Sequence, residues 1–142
     1  FLAHCFLFVW FNCPYNVRMN KINENSNMAV IYHNPRCSKS RQTLEILREH
    51  NDVETNVILY METPIEQATL LSLLKMLGIT PSQLIRCNEA DFKRLHLDND
   101  DTTDEDLVNA MIEYPKLMER PIVVHNNKAV IGRPPENVHK IL

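Results

Sequence analysis

Met28-Ala29-Val30-Ile31-Tyr32-His33-Asn34-Pro35-Arg36-Cys37-Ser38-Lys39-Ser40-Arg41 is the stretch that decides the fold. Met28 to His33 reads as a buried strand, since a short apolar run bounded by turn residues has a strand's length. Asn34 and Pro35 break it. A helix is predicted from Ser38 to His50, with Leu44, Ile46 and Leu47 as its apolar face. Cys37 therefore stands at a helix N-terminus, where free backbone N–H groups and the positive end of the macrodipole converge. Arg36, Lys39 and Arg41 add three cations nearby. Both effects favour thiolate over thiol. The same loop suits an oxyanion, and Ser38 and Ser40 offer hydroxyl donors to it or to the sulfur.

Outward from this turn, Thr55 to Met61 is β-rich and reads as a second strand. Thr63-Pro64-Ile65-Glu66 spells a capping box with Pro at N1, opening a helix that Gly78 ends. Thr80-Pro81-Ser82-Gln83 repeats that signal for a short helix ending near Arg86. Thr103 caps a further helix that carries Leu107, Met111 and Ile112 inward and stops before Pro115. Pro121 to Val124 and Lys128 to Ile131 flank Asn126-Asn127, residues that tolerate positive φ, as a β-hairpin. A last short helix is predicted over 134–142. A β-α-β start favours parallel strands with a right-handed crossover. The fold class expected is α/β: a thioredoxin-like mixed sheet with an all-helical insertion between the βαβ half and the β-hairpin–helix half.

The 142 residues amount to about one domain. Only two glycines are present, Gly78 and Gly132, so neither a P-loop nor a dinucleotide fingerprint can be spelled. A formal charge of −3 gives no footing for bulk nucleic-acid binding. Six acids, Asp98, Asp100, Asp101, Asp104, Glu105 and Asp106, are segregated in one segment and leave the remainder locally basic. That cluster lacks the Gly and Glu of a calcium loop and reads as the solvated start of a helix. No CxxC occurs, which excludes a zinc knuckle and a dithiol motif, so no metal is expected. Of four cysteines, Cys5 and Cys13 lie within residues 1–27; the two lone thiols of the remainder, Cys37 and Cys87, fit a reducing cytoplasm.

Phe1 to Phe11 is apolar but too short to span a bilayer. It lacks the charged start and the small-residue cleavage site of a signal peptide. Residues 1–27 are expected to be an extension outside the fold, with a membrane or export segment as the alternative, and 28–142 to be the domain. No membrane partner is expected for that domain.

A tyrosine-phosphatase loop is excluded by spacing, because six residues after Cys37 stands Thr43 and not Arg. The chain resembles the glutaredoxin-coupled arsenate reductases instead. The resemblance rests on His33-Asn34-Pro35-x-Cys37-x-x-Ser40-Arg41, Leu84-Ile85-Arg86, Glu119-Arg120-Pro121-Ile122-Val123-Val124 and Gly132-Arg133-Pro134. It spans 28–142 and implies that Cys37 is the nucleophile attacking arsenate. It implies that Arg86, Arg120 and Arg133 bind the oxyanion, that His33 and Ser40 support the thiolate, and that Pro121 is a cis-proline. Glutathione would be the co-substrate and glutaredoxin the resolving partner, with no bound cofactor and a monomeric enzyme. The loop departs from the best-known pattern in having Ser38 where characterised members carry Gly.

Two other readings use the same residues. One is a glutathione-dependent thiol reductase that does not act on arsenate. The other is an Spx-type regulator that binds RNA polymerase, although such regulators switch through CxxC and the fourth position here is Ser40. Cys87, beside Arg86, is either a second thiol near Cys37 or a small residue at a helix end.

Overall fold

In a computed structural model that describes residues 27–142, four strands form one mixed sheet in the order β2-β1-β3-β4. β1 (Met28–Tyr32) pairs parallel with β2 (Glu54–Ile58) and antiparallel with β3 (Ile122–His125), which pairs antiparallel with β4 (Lys128–Ile131). The helices α1 (Ser38–Glu49), α2 (Gln67–Leu77), α3 (Pro81–Leu84), α4 (Ala90–Arg94) and α5 (Asp104–Glu113) are joined by 3₁₀ turns at Pro115–Leu117 and Pro135–Lys140. This is the expected thioredoxin-like plan, with the helical insertion between the two halves of the sheet.

Strand alternation divides the core into two layers. Ala29, Ile31 and Val123 face Leu44 and Leu47 of α1 and Val138 and Ile141 of the C-terminal turn. Tyr32, Ile122 and Ala129 face the other way, against Leu70, Leu73, Leu107 and Met111. Leu47 is fully buried, so its truncation to Ala would cost about 2–5 kcal/mol. Tight packing at this layer fixes where α1 begins, and hence where Cys37 sits.

Several local signals hold. Asn126 and Asn127 adopt φ of 50° and 58° at the hairpin tip. Gly78 caps α2 at φ 67°. Gln83 Oε1 accepts from the Thr80 N–H at 3.0 Å, and Thr103 Oγ1 accepts from the Asp106 N–H at 3.2 Å.

Others do not. β2 stops at Ile58, because β1, its one neighbour in the sheet, ends at Tyr32 and leaves Leu59 to Met61 nothing to pair with. The chain turns there instead, with the Thr63 N–H bonded to Leu59 O at 3.0 Å. That bond uses the Thr63 amide, so α2 starts late, behind Glu66, and Ile65 is buried in the extended approach. α4 was not expected; it is a single short turn of helix ended by His96 at φ 53°. The closing segment is 3₁₀ and not α.

The expected extension over residues 1–27 lies outside the described residues except for Asn27. Asn27 is tied into the fold: its Nδ2 donates to Asp52 O at 2.7 Å, and its carbonyl accepts from the Glu54 N–H at 2.9 Å. Among the described residues, no helix is long and apolar enough to cross a membrane.

Candidate active site

Parallel β1 and β2 end at the same edge of the sheet, the edge at which ligands bind in open α/β folds. From that edge β1 runs into His33 and Asn34, whose turn delivers Cys37 to the N-cap of α1. The Cys37 N–H bonds Asn34 O at 3.0 Å, and the Arg36 N–H bonds Asn34 Oδ1 at 3.0 Å. Asn34 thus shapes the turn through its backbone and its side chain together.

Burial pushes the half-buried Cys37 thiol up, yet its pKa lies below the ordinary cysteine value. Hydrogen bonds from the Ser40 and Lys39 backbone N–H groups and the charges of Arg133 and Arg120 outweigh the burial. Arg133 Nη2 donates to Cys37 Sγ at 3.5 Å. The cations next to Cys37 in sequence act elsewhere. Arg41 Nη1 bonds Pro35 O at 2.8 Å and Lys39 Nζ bonds Gln42 at 3.3 Å, both toward solvent.

Arg86 and Arg120 reach the site by a second route. Ile85 and Met118 form an antiparallel bridge, extended by the Arg86 N–H to Leu117 O at 2.7 Å and the Glu119 N–H to Leu84 O at 3.0 Å. This pairing carries Arg86 to Glu119 and Arg120. Arg120 leads into Pro121 through a cis peptide bond, as the resemblance implies, and Arg133 into Pro134 through another. Arg133 Nε donates to Arg120 O at 3.0 Å.

Gly132 makes the last approach possible. A Cβ there would lie 2.5 Å from Thr43 Oγ1 and 2.8 Å from Pro121 Cγ. Absence of a side chain lets β4 close onto α1 and Pro121, with the Gly132 N–H on Pro121 O at 2.9 Å.

Two carboxylates join the arginines, and the sequence reading missed both as site residues. Glu89 pairs with Arg86 and lies 4.0 Å from Arg120 Nη2. Glu119 lies 3.7 Å from Arg86 Nε and 3.4 Å from Arg133 Nε. Glu119 sits within the quoted Arg120-Pro121 motif; no local signal marks Glu89.

His33 and Ser40 face each other beneath the loop. Ser40 is fully buried; its Oγ accepts from the Asn34 N–H at 3.0 Å and lies 2.8 Å from His33 Nδ1. Burial, followed by the Arg48 charge, holds the His33 pKa below its ordinary value despite an opposing backbone interaction with Ser40; Arg41 adds to the lowering. Ser40 Oγ and His33 Nδ1 share a hydrogen bond beneath the turn. Ser40 therefore touches the sulfur through its backbone and braces the turn through its hydroxyl.

Cys37 and Cys87 are both free, and Cys87 is exposed with Sγ 3.9 Å from Ile85 O. It follows a β-bridge and ends no helix. Among the described residues, no group of three His, Cys, Asp or Glu side chains could hold a metal ion.

A thiol held acidic at a helix start, with three guanidiniums gathered around it from distant segments, can attack an electrophile and bind an oxyanion. The ArsC family model matches residues 32–141, which contain this whole constellation. The chain belongs to the ArsC family. It is 44% identical over 115 residues to the arsenate reductase of Haemophilus influenzae, covering 80% of this chain and 98% of that protein. It is 56% identical over 118 residues to the uncharacterized protein YfgD of Escherichia coli (strain K12), covering 82% and 98%. The solved arsenate reductase from Vibrio cholerae superposes with a TM-score of 0.79 at 45% identity, over 83% of this ArsC chain and all of that one.

Proposed function

We propose that this ArsC-family protein reduces arsenate to arsenite through Cys37. The observation that carries the reading is the convergence of Arg133 on Cys37 Sγ, at 3.5 Å, with Arg120 and Arg86 alongside. Arsenate, like phosphate, presents several charged oxygens to planar forks. The Cys37 thiolate attacks arsenic and displaces one arsenate hydroxyl, which takes a proton from solvent and leaves as water, giving a sulfur–arsenic adduct. His33 and Ser40 keep the turn in the shape that aims backbone N–H groups at the sulfur.

Among the described residues Cys37 has no disulfide partner, and in this reading the two electrons that take arsenic from the pentavalent to the trivalent state come from outside thiols. Glutathione attacks the adduct and displaces a second oxygen as water. A glutaredoxin thiolate then takes the glutathione sulfur, leaving its electron pair on arsenic and forming the external disulfide, and water cleaves the Cys37 sulfur–arsenic bond to release arsenite and the thiolate. A groove of about 420 Å³, lined among others by Leu77, Glu119, Arg133, Asn137 and Lys140, opens beside Arg133 and suits a small anionic thiol. Such chemistry belongs in a reducing cytoplasm, in a monomer.

The test is arsenite release from arsenate with purified glutathione and glutaredoxin. Turnover is expected in the wild type and none in Cys37→Ser. Normal turnover in Cys37→Ser would overturn the reading. A glutathione-dependent reductase that ignores arsenate would instead show thiol exchange at Cys37 with no arsenite formed.

A further inference from the structure

Tyr60 is fully buried, yet its hydroxyl has no close, well-aligned hydrogen-bond partner among the described residues. A buried polar group left unpaired is costly, and a native structure that keeps one has a reason. Position supplies the first clue. The His33 N–H bonds Ile58 O at 2.8 Å, closing the parallel ladder, and Tyr60 lies two residues past Ile58. It thus leaves β2 at the sheet edge from which the Asn34–Cys37 turn leaves β1. Burial raises the phenol pKa and keeps it a donor, and the groups that act on it next are those of the site: Arg120, a loose hydrogen bond with the Asn34 side chain, Cys37 and Arg86.

A second atom shares the predicament. Arg120 Nε is also buried without a partner, although Nη1 of the same side chain reaches Lys116 O at 3.1 Å. Two buried donors beside one thiol lack the same thing, an acceptor. The nearby carboxylates do not serve them: Glu89 and Glu119 approach other nitrogens of the arginine cluster, and Glu119 Oε2 is itself buried without a hydrogen bond, facing Arg133 Nε at 3.4 Å.

We infer that Tyr60 is a further oxyanion-binding residue, its hydroxyl donating to an oxygen of the anion seated over Cys37. This rests on the oxyanion reading above. On this reading Tyr60 and Arg120, whose charge acts on the phenol, find in the anion the acceptor that the hydroxyl and Arg120 Nε lack.

Tyr60→Phe removes the hydroxyl and nothing else. Because that hydroxyl makes at most a loose bond with the Asn34 side chain among the described residues, its loss should leave the thermal midpoint nearly unchanged. Alkylation of Cys37 by iodoacetamide, followed on the Cys37 peptide by mass spectrometry, reads anion binding without turnover. Arsenate, inorganic phosphate and sulfate are the probes. We expect half-protection in Tyr60→Phe to need about tenfold more arsenate than in wild type, the scale of one hydrogen bond to a charged group. The unprotected alkylation rate should stay within about twofold, since loss of one neighbouring dipole is small beside the fixed charges. Equal half-protection in both proteins would overturn the role of Tyr60 and leave the oxyanion site standing. A lowered midpoint would assign the hydroxyl to the fold and overturn it as well. Absence of protection in wild type by all three anions would overturn both readings together.

Discussion

Arg133 Nη2 meets Cys37 Sγ at 3.5 Å across 96 residues of chain, and the contact is made by the hairpin and not by the loop that carries the cysteine. Removing this guanidinium raises the thiol pKa, because the charged form loses its nearest cation while the burial that opposes it stays. Arg133→Ala should therefore move the alkylation profile of Cys37 to higher pH and slow the reaction at neutrality. Arg41→Ala, whose guanidinium is bonded to Pro35 O, should leave the profile in place. An unmoved profile in Arg133→Ala would refute the assignment.

Ser40→Ala removes an oxygen that serves two partners at once. His33 Nδ1 and the Asn34 N–H are both left unpaired under the active-site turn. The expected cost is about 1–3 kcal/mol per orphaned group, read as a lowered denaturant midpoint. Ser38 is exposed, and Ser38→Ala should stay within about 0.5 kcal/mol. Equal effects of the two changes would show that the bracing is not there.

Gly132→Ala forces a methyl group against Thr43 Oγ1 and Pro121 Cγ. One neighbour is a helix side chain and the other a rigid ring, so neither yields cheaply. Overpacking of this kind costs about 1–3 kcal/mol. Arg133 follows directly, so thermal melting and Cys37 reactivity should fall together. Thr43→Ala in the same chain should recover part of the loss, because Pro121 remains in the way.

His33 links folding to pH. Burial first, then Arg48, depresses its pKa in the folded state, so the folded chain resists a proton that the unfolded chain accepts at about 6.5. The stabilisation is complete above that value and is lost as the pH falls through the lower folded value. The thermal midpoint should drop between about pH 7 and about pH 5. His33→Gln should flatten that decline, and an unchanged slope would assign it to other groups.

Where bonding partners lie within one turn, the sequence could be read directly. Asn126-Asn127 marked the hairpin tip, Thr80 and Thr103 marked helix starts, and Cys37 fell at the N-cap of α1. Thr63-Pro64 carried an equally good signal and failed. Its amide was already bonded to Leu59 O, and burial of Ile65 outweighed an earlier helical turn. β2 was overextended for a related reason: β-branched composition says nothing of where the neighbouring strand ends.

The site divides along the same line. Cys37 was legible because a helix start is a local event. The helix-start N–H groups were read correctly as a source of its acidity, but the cations were misjudged, since Arg36, Lys39 and Arg41 are close in sequence but exposed, whereas the charges that act on the sulfur are those of Arg133 and Arg120. Motif resemblance named those two, as well as Arg86. Nothing local could name Glu89, whose pairing depends on the bridge between Ile85 and Met118.

The order in which the ribosome makes these parts has its own consequence. Cys37 is translated long before the hairpin that brings Arg133, so a nascent or half-assembled chain holds a sulfur lacking its full complement of cations. The sulfur gains its Arg133 contact only when the last strand has docked, so the ionisation of Cys37 is a property of the finished fold and not of its loop alone.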